Sequence, residues 1–154
     1  MGVQYDHPDL AANMWINEAE MNGTEGVDDD DNGYVDDLYG WNFAPNYDSG
    51  EIVPGYHGTH IAGTIAAVNN NGEGVCGIAG GSGNGDGVRI MTIGWSADNR
   101  QTIPNWDMFA YAADNGAVIA SCSWEVSSPD LAPDLQAGLD YFIDNAGMDE
   151  NGVQ

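Results

Sequence analysis

The sequence predicts an α/β protein with a parallel sheet and helices on both of its faces. Three observations point there. Apolar segments with helical spacing alternate with short strand-like runs; the runs at 88–93 and 117–122 are nearly continuous in apolar character; and glycine-rich loops punctuate the alternation. Strands that alternate with helices imply crossover units and parallel pairing, and strands buried on two faces read as unbroken apolar runs. A chain of 154 residues with 42% apolar content is long enough for one domain with a real core.

The elements follow in order. After a Pro8-Asp9 turn, residues 11–16 (Ala-Ala-Asn-Met-Trp-Ile) read as a short helix, and residues 20–37 as a Gly- and Asp-rich loop without apolar periodicity. Residues 38–43 read as a strand. A helix headed by His57 places Ile61, Ile65 and Val68, with Ala62 and Ala66, on one apolar face. Gly63 inside it costs about 1 kcal/mol relative to Ala, so it is expected to mark a close backbone approach. A Gly/Asn loop and a second Gly-rich loop at 80–87 lead to a strand at 88–93. Pro104 opens a helix that runs through Asn115, with Trp106, Phe109, Ala110 and Ala113 on one face and Gly116 as its stop. A strand at 117–122 follows. The last helix, 133–145, carries Leu135, Leu139 and Phe142 at helical spacing and ends at Gly147.

Two positive side chains stand against 25 Asp and Glu, a formal charge of −23. Such a surface repels phosphates, which excludes nucleic acid as a partner and argues against docking on an anionic membrane. No apolar run approaches the ~18 residues of a bilayer span, and no signal peptide follows Met1. Cys76 and Cys122, the two cysteines, read as separate buried thiols rather than a disulfide.

The acids are clustered. In 28–37, Asp-Asp-Asp-Asp-Asn-Gly-Tyr-Val-Asp-Asp, oxygen donors at alternate positions precede a glycine. That is the first half of a calcium loop, with Asp28, Asp30 and Asn32 as side-chain ligands and Gly33 for the sharp turn. The twelfth position is Tyr39 rather than Glu, so Asp36 or Asp37 has to close the site. The competing reading is a solvated acidic loop. Adjacent carboxylates repel unless neutralised, which favours a bound Ca²⁺.

His57 stands at the head of its helix. Unpaired N–H groups and the helix dipole disfavour an added positive charge there, and a neutral imidazole can accept a proton as a general base does. A zinc pair with His60 at i,i+3 lacks a third ligand. The stretch 57–66, His-Gly-Thr-His-Ile-Ala-Gly-Thr-Ile-Ala, resembles the histidine motif of the subtilisin-like serine endopeptidases, H-G-T-H-[VI]-A-G-T-[IV]-A. Other segments agree in order. Gly2 to Leu10 resembles the stretch after the family's aspartate, and 75–79 the turn after its histidine helix. The stretch from Tyr111 to Ala117, with Ser123-Trp124, resembles its later helix and substrate-binding strand.

The resemblance implies an incomplete subtilisin-like three-layer fold, a partial catalytic domain over 1–154. In it His57 is catalytic and His60 structural. It also implies a calcium site in which Asp9 joins Asn71 and the backbone carbonyls of Asn69, Glu73 and Val75; the alternative is that Asp9 only caps the next helix. Ser123 and Trp124 would border the substrate, and Glu125 replaces the family's usual Gly, either selecting basic side chains or crowding the peptide. The family's aspartate belongs two residues before Gly2, and its nucleophile in a G-T-S-M-A motif that does not occur here. The chain is therefore expected to be a truncated portion of a secreted or cell-surface endopeptidase. Alone it would be inactive and poorly soluble or partly unfolded; in the complete enzyme it would act on polypeptides, conceivably with a complementing fragment. The alternative is a non-catalytic calcium-binding structural or binding module, a protease relic.

Overall fold

The computed structural model describes residues 2–44, 47–95, 106–124 and 132–148. They form an α/β arrangement in two compact units, Met1–Thr102 and Ile103–Gln154.

In the first unit, strand β1 (Gly40–Asn42) pairs in parallel with β2 (Thr92–Gly94), Trp41 opposite Ile93. The crossover between them contains helix α2 (Tyr56–Ala66), the βαβ arrangement that parallel pairing requires. Both strands are shorter than the apolar runs at 38–43 and 88–93. Ile90 instead forms a separate parallel bridge with Met14. The expected helix at 11–16 is a single 3₁₀ turn, Ala11–Asn13. It stops there because Trp15 turns its N–H to Ile90 O (2.9 Å). A helix not foreseen, α1 (Glu18–Asn22), lies inside the acidic stretch, where Asn17 caps it by accepting the Ala19 N–H. Five acid-rich residues present no apolar period; the cap is their signal.

Val3, Leu10, Met14 and Ala62 form the core of this unit, flanked by Tyr5, Tyr39 and Ile90. Asn13 is buried beside it and fully employed. Its Nδ2 donates to Ala66 O (2.8 Å) and Gly80 O (3.2 Å), and its Oδ1 accepts from Arg89 (2.9 Å). That satisfies an orphan carbonyl at the end of α2. On α2, Ala62 and Ala66 are buried and Ile61, Ile65 and Val68 half-buried. The close approach expected at Gly63 is not there: a Cβ on it would meet nothing within 4 Å. Backbone instead crowds Gly77 and Gly80, whose turn packs on Ala66 and Ala67, because 77–79 donate N–H bonds back to Ala67, Thr64 and Ile65.

The second unit is a helical hairpin. Helix α3 (Trp106–Asp114) buries Met108 through Ala113, and α4 (Pro133–Asn145) buries Leu135 and Gly138. Phe109 meets Phe142 and Trp106 meets Tyr141 edge to face, at 6.4 and 5.3 Å. Gly116 (φ 83°) ends α3: its N–H bonds Ala113 O while the Ala117 N–H reaches Ala112 O, a Schellman closure. Residues 117–122, expected as a buried strand, carry no strand pairing among the described residues. Val118 and Ile119 are 66% and 82% exposed. The expected apolar neighbour is not among the described parts of this unit. Cys76 and Cys122 are both free and exposed, not buried as the sequence led us to expect.

Candidate functional site

The head of α2 is held to the start of the chain. Gly2 forms a parallel bridge with Pro54; its N–H bonds Val53 O (2.9 Å), and the Gly55 N–H bonds Gly2 O (3.0 Å). The Gln4 N–H adds a bond to Thr59 Oγ1 (2.9 Å), one turn into the helix. Gly55 occupies the N-cap position, which leaves His57 in the first turn with its imidazole exposed. His60 lies one turn on, also exposed. The bridge at Gly2 and the bond from Gln4 thus pin the chain start beside the helix head that carries the accessible imidazole of His57.

Asp9 is buried, and its carboxylate does not cap a helix. Oδ1 accepts from Asn71 Nδ2 and Oδ2 from the Val75 N–H, both at 2.8 Å. Asn71 Oδ1 accepts the Glu73 N–H (3.0 Å), and the Asp9 carbonyl accepts the Val68 N–H. Asp9 thus staples loop 69–75, bringing together Asp9, Asn71, Glu73 and Val75. Asn69 turns its Nδ2 to Gly81 O instead (2.8 Å). The carboxylate's charge is met by N–H donors on both oxygens.

The acidic loop is built differently. Carboxylate oxygens of Glu20, Asp28 and Asp30 lie within 4.8 Å of one another, and Glu20 is buried. Ca²⁺ binds oxygens at about 2.3–2.6 Å, so ligands across one ion stand about twice that far apart; this trio fits that spacing. Glu20 Oε1 and Oε2 accept the Asp29 and Asp36 N–H groups (2.7 and 2.8 Å), which fold the loop around it. Asn17 Nδ2 donates to Asp30 and Asp37, and Asn32 Nδ2 to the same pair. Gly33 takes φ 93°, as its turn demands, and gives its N–H to Asp28 Oδ2 (2.8 Å). Of the two candidates to close the site, Asp36 sends its carboxylate to the Gly26 N–H, whereas Asp37 is fully buried and bound to both asparagine amides. Sequence spacing found Asp28, Asp30 and Asn32. It missed Glu20 and Asn17, which belong to α1 and its cap and return to the loop only through folding.

Ser123 (exposed) and Trp124 (half-buried) belong to the second unit, and Glu125 lies outside the described residues. No described helix is long and apolar enough to cross a membrane.

A parallel α/β frame with an exposed histidine at a glycine-capped helix head defines a class. The chain matches the Subtilase family over residues 1–152 and belongs to it. It is similar to Subtilisin-like protease 1 of Plasmodium vivax, 52% identical over 80 residues, which is 51% of this chain and 12% of that protein. The protein of the same name from Plasmodium falciparum (isolate 3D7) is 48% identical over 77 residues, 50% of this chain and 11% of its own length. Halolysin of Haloferax mediterranei is 35% identical over 115 residues, 68% of this chain and 19% of that protein. The chain thus spans less than a fifth of the length of each of these relatives.

Proposed function

We propose that this chain is the histidine-bearing portion of a serine endopeptidase catalytic domain. In the complete enzyme His57 takes the proton of a serine nucleophile as it attacks a peptide carbonyl, then donates it to the leaving amine. The observation that carries this reading is the Gly2–Pro54 bridge. It sets the stretch resembling the one after the family's aspartate directly beside the residues that lead into His57. Ser123 and Trp124, by their resemblance to the family's substrate-binding strand, would border the substrate backbone, and Glu125 in place of the usual Gly would either select basic side chains or crowd the peptide. The protein acts outside the cell or at its surface, on polypeptides.

Calcium belongs to the same reading. Glu20, Asp28 and Asp30, with Asp37 and the side-chain oxygen of Asn32 nearby, would hold Ca²⁺, which would neutralise the converging carboxylates and lock the loop. A second site at Asp9 would require its N–H donors to give way to the carbonyls of Asn69, Glu73 and Val75. The convergence of three carboxylates also supports a second reading, a calcium-stabilised module without catalysis.

One experiment separates the two. The chain alone should neither cleave casein nor react with a fluorophosphonate probe. The longer protein from the same reading frame should do both, and His57→Ala in it should lower turnover about a millionfold, the cost known for subtilisin itself. Cleavage by the purified chain, or an unimpaired His57→Ala enzyme, would overturn the proposal; an inert longer protein would favour the module.

A further inference from the structure

The sequence holds six Asn–Gly pairs, at Asn22, Asn32, Asn71, Asn84, Asn115 and Asn151. In each, the glycine nitrogen can attack the preceding side-chain amide, because no Cβ shields it. The attack needs a free backbone N–H and an amide that can rotate toward it. We propose that, of the five Asn–Gly pairs among the described residues, Asn84 is the preferred site of spontaneous deamidation, selected from its sister pairs by the hydrogen bonds the fold gives or withholds.

Three pairs are closed at the nitrogen. The Gly23 N–H bonds Glu20 O (3.2 Å), the Gly33 N–H bonds Asp28 Oδ2 (2.8 Å) and the Gly116 N–H bonds Ala113 O (3.0 Å). Their asparagines are held as well: Asn22 and Asn115 donate to the carbonyls of Glu18 and Tyr111, and Asn32 is gripped at both ends. Gly72 carries no such bond, but Asn71 is fixed by Asp9 at its nitrogen and by the Glu73 N–H at its oxygen. Asn151 lies outside the described residues. Asn84 remains. It is exposed, the one hydrogen bond of its side chain among the described residues is Nδ2 to the rotatable Ser82 hydroxyl (2.8 Å), and no described group accepts the Gly85 N–H. Gly85 takes φ 77° with nothing within 4 Å of a Cβ placed on it. The adjacent Asp86–Gly87 pair competes poorly, since its side chain is an ionised carboxylate at neutral and alkaline pH, a far poorer electrophile than an amide, and it accepts the Ser82 N–H (2.7 Å).

The reaction balances with water alone. Gly85 N, losing its proton to solvent base, forms a bond to Asn84 Cγ, and ammonia leaves with the returned proton. Water then opens the resulting succinimide at either carbonyl, giving Asp or isoaspartate. Isoaspartate routes the main chain through the side chain and adds a methylene between residues 84 and 85. The Gly85 carbonyl is a guanidinium anchor, 2.7 Å from Arg89, whose other bonds reach Ala12, Asn13 and Gly87. Ageing would therefore release the Arg89 clamp on the 3₁₀ turn.

The test incubates the longer protein from the same reading frame, carrying His57→Ala so that it cannot digest itself, in mildly alkaline buffer with and without urea. Peptide mass spectrometry follows the gain from NH replaced by O, and an isoaspartyl methyltransferase counts the rearranged product. In buffer, Asn84 should convert several-fold faster than Asn22, Asn32, Asn71 or Asn115, and Asn84→Gln should remove the methyl acceptance of the peptide that carries residue 84. In urea the rates should converge. Equal rates in native buffer, or a faster Asn32 or Asn71, would overturn the proposal. So would an Asn84 preference that persists undiminished in urea, since local sequence rather than the fold would then be responsible.

Discussion

Two loops of the first unit carry buried carboxylates, and they solve the same electrostatic problem in opposite ways. Around Asp9, N–H groups of residues 71 and 75 take one carboxylate oxygen each. Around Glu20, the N–H groups of residues 29 and 36 do the same, but Asp28 and Asp30 then converge on the same space. A single buried acid can be matched by backbone donors. Three that face one another keep a repulsion that donors only dilute, and a cation removes it. The contrast locates where an ion has most to offer.

The sharpest way to break this contrast is to add Ca²⁺. Micromolar titration should release or absorb heat and raise the hydrogen-exchange protection of the residue 29 and 36 amides. At a hundredfold excess over the dissociation constant the gain is about 2.7 kcal/mol. Glu20→Gln should abolish it, while protection of loop 69–75 changes little; a flat titration would end the argument. Next in size, Asp9→Ala leaves the Asn71 amide and the Val75 N–H unpaired and should cost about 1–3 kcal/mol, read as lost protection of the residue 75 amide. That loss should be the same with chelator as with Ca²⁺ if Asp9 is a staple, and larger with Ca²⁺ if it also binds an ion. Smaller still, Gly63→Ala lies outside both loops, on a helix face that is open in this chain. It should stabilise α2 by about 0.5–1 kcal/mol, seen as slower exchange in the helix. Destabilisation of the longer enzyme by the same change would show that a partner backbone meets Gly63 there.

The hairpin of the second unit supplies a baseline free of either loop. The Tyr141 hydroxyl donates to Asp114 (2.7 Å), and that bond raises its pKa above the ordinary 10.0. A folded pKa above the unfolded one means this contribution is complete below pH 10.0 and fades as pH climbs through the raised value. Tyr141→Phe should remove that alkaline dependence and, because the contribution is complete at neutral pH, lower stability there slightly, by about 0.5 kcal/mol or less.

Helices were the readable part of this sequence. The bounds of α4, the glycine stop after α3 and the histidine at the head of α2 follow from local signals that packing does not override. Strands were less readable, because an apolar run shows that burial is wanted and not where its partner lies. Residues 88–93 therefore shrank to Thr92–Gly94, and 117–122 stayed unpaired in its own unit. At the candidate site, Asp28, Asp30 and Asn32 lie close in sequence, so spacing alone could single them out, and the fold brings Asp28 and Asp30 together with Glu20. Glu20 was hidden because eight residues and a turn separate it from Asp28, and nothing local ties a helix residue to a loop it faces. Gly63 misled for a related reason: its rationale needs a neighbour, and none of the described residues supplies one.

Arg89 has one more consequence. Its guanidinium is spent on the carbonyls of Ala12, Gly85 and Gly87 and on Asn13, and the other cation of the chain, Arg100, lies outside the described residues. Among the described residues, then, the acids outside the candidate calcium loop find no Lys or Arg side chain left to pair with. Dissolved electrolyte has to do the work that lysine does elsewhere, shortening the reach of each repulsion to about 8 Å at physiological ionic strength. Brine should tighten this protein where it would loosen one built on ion pairs.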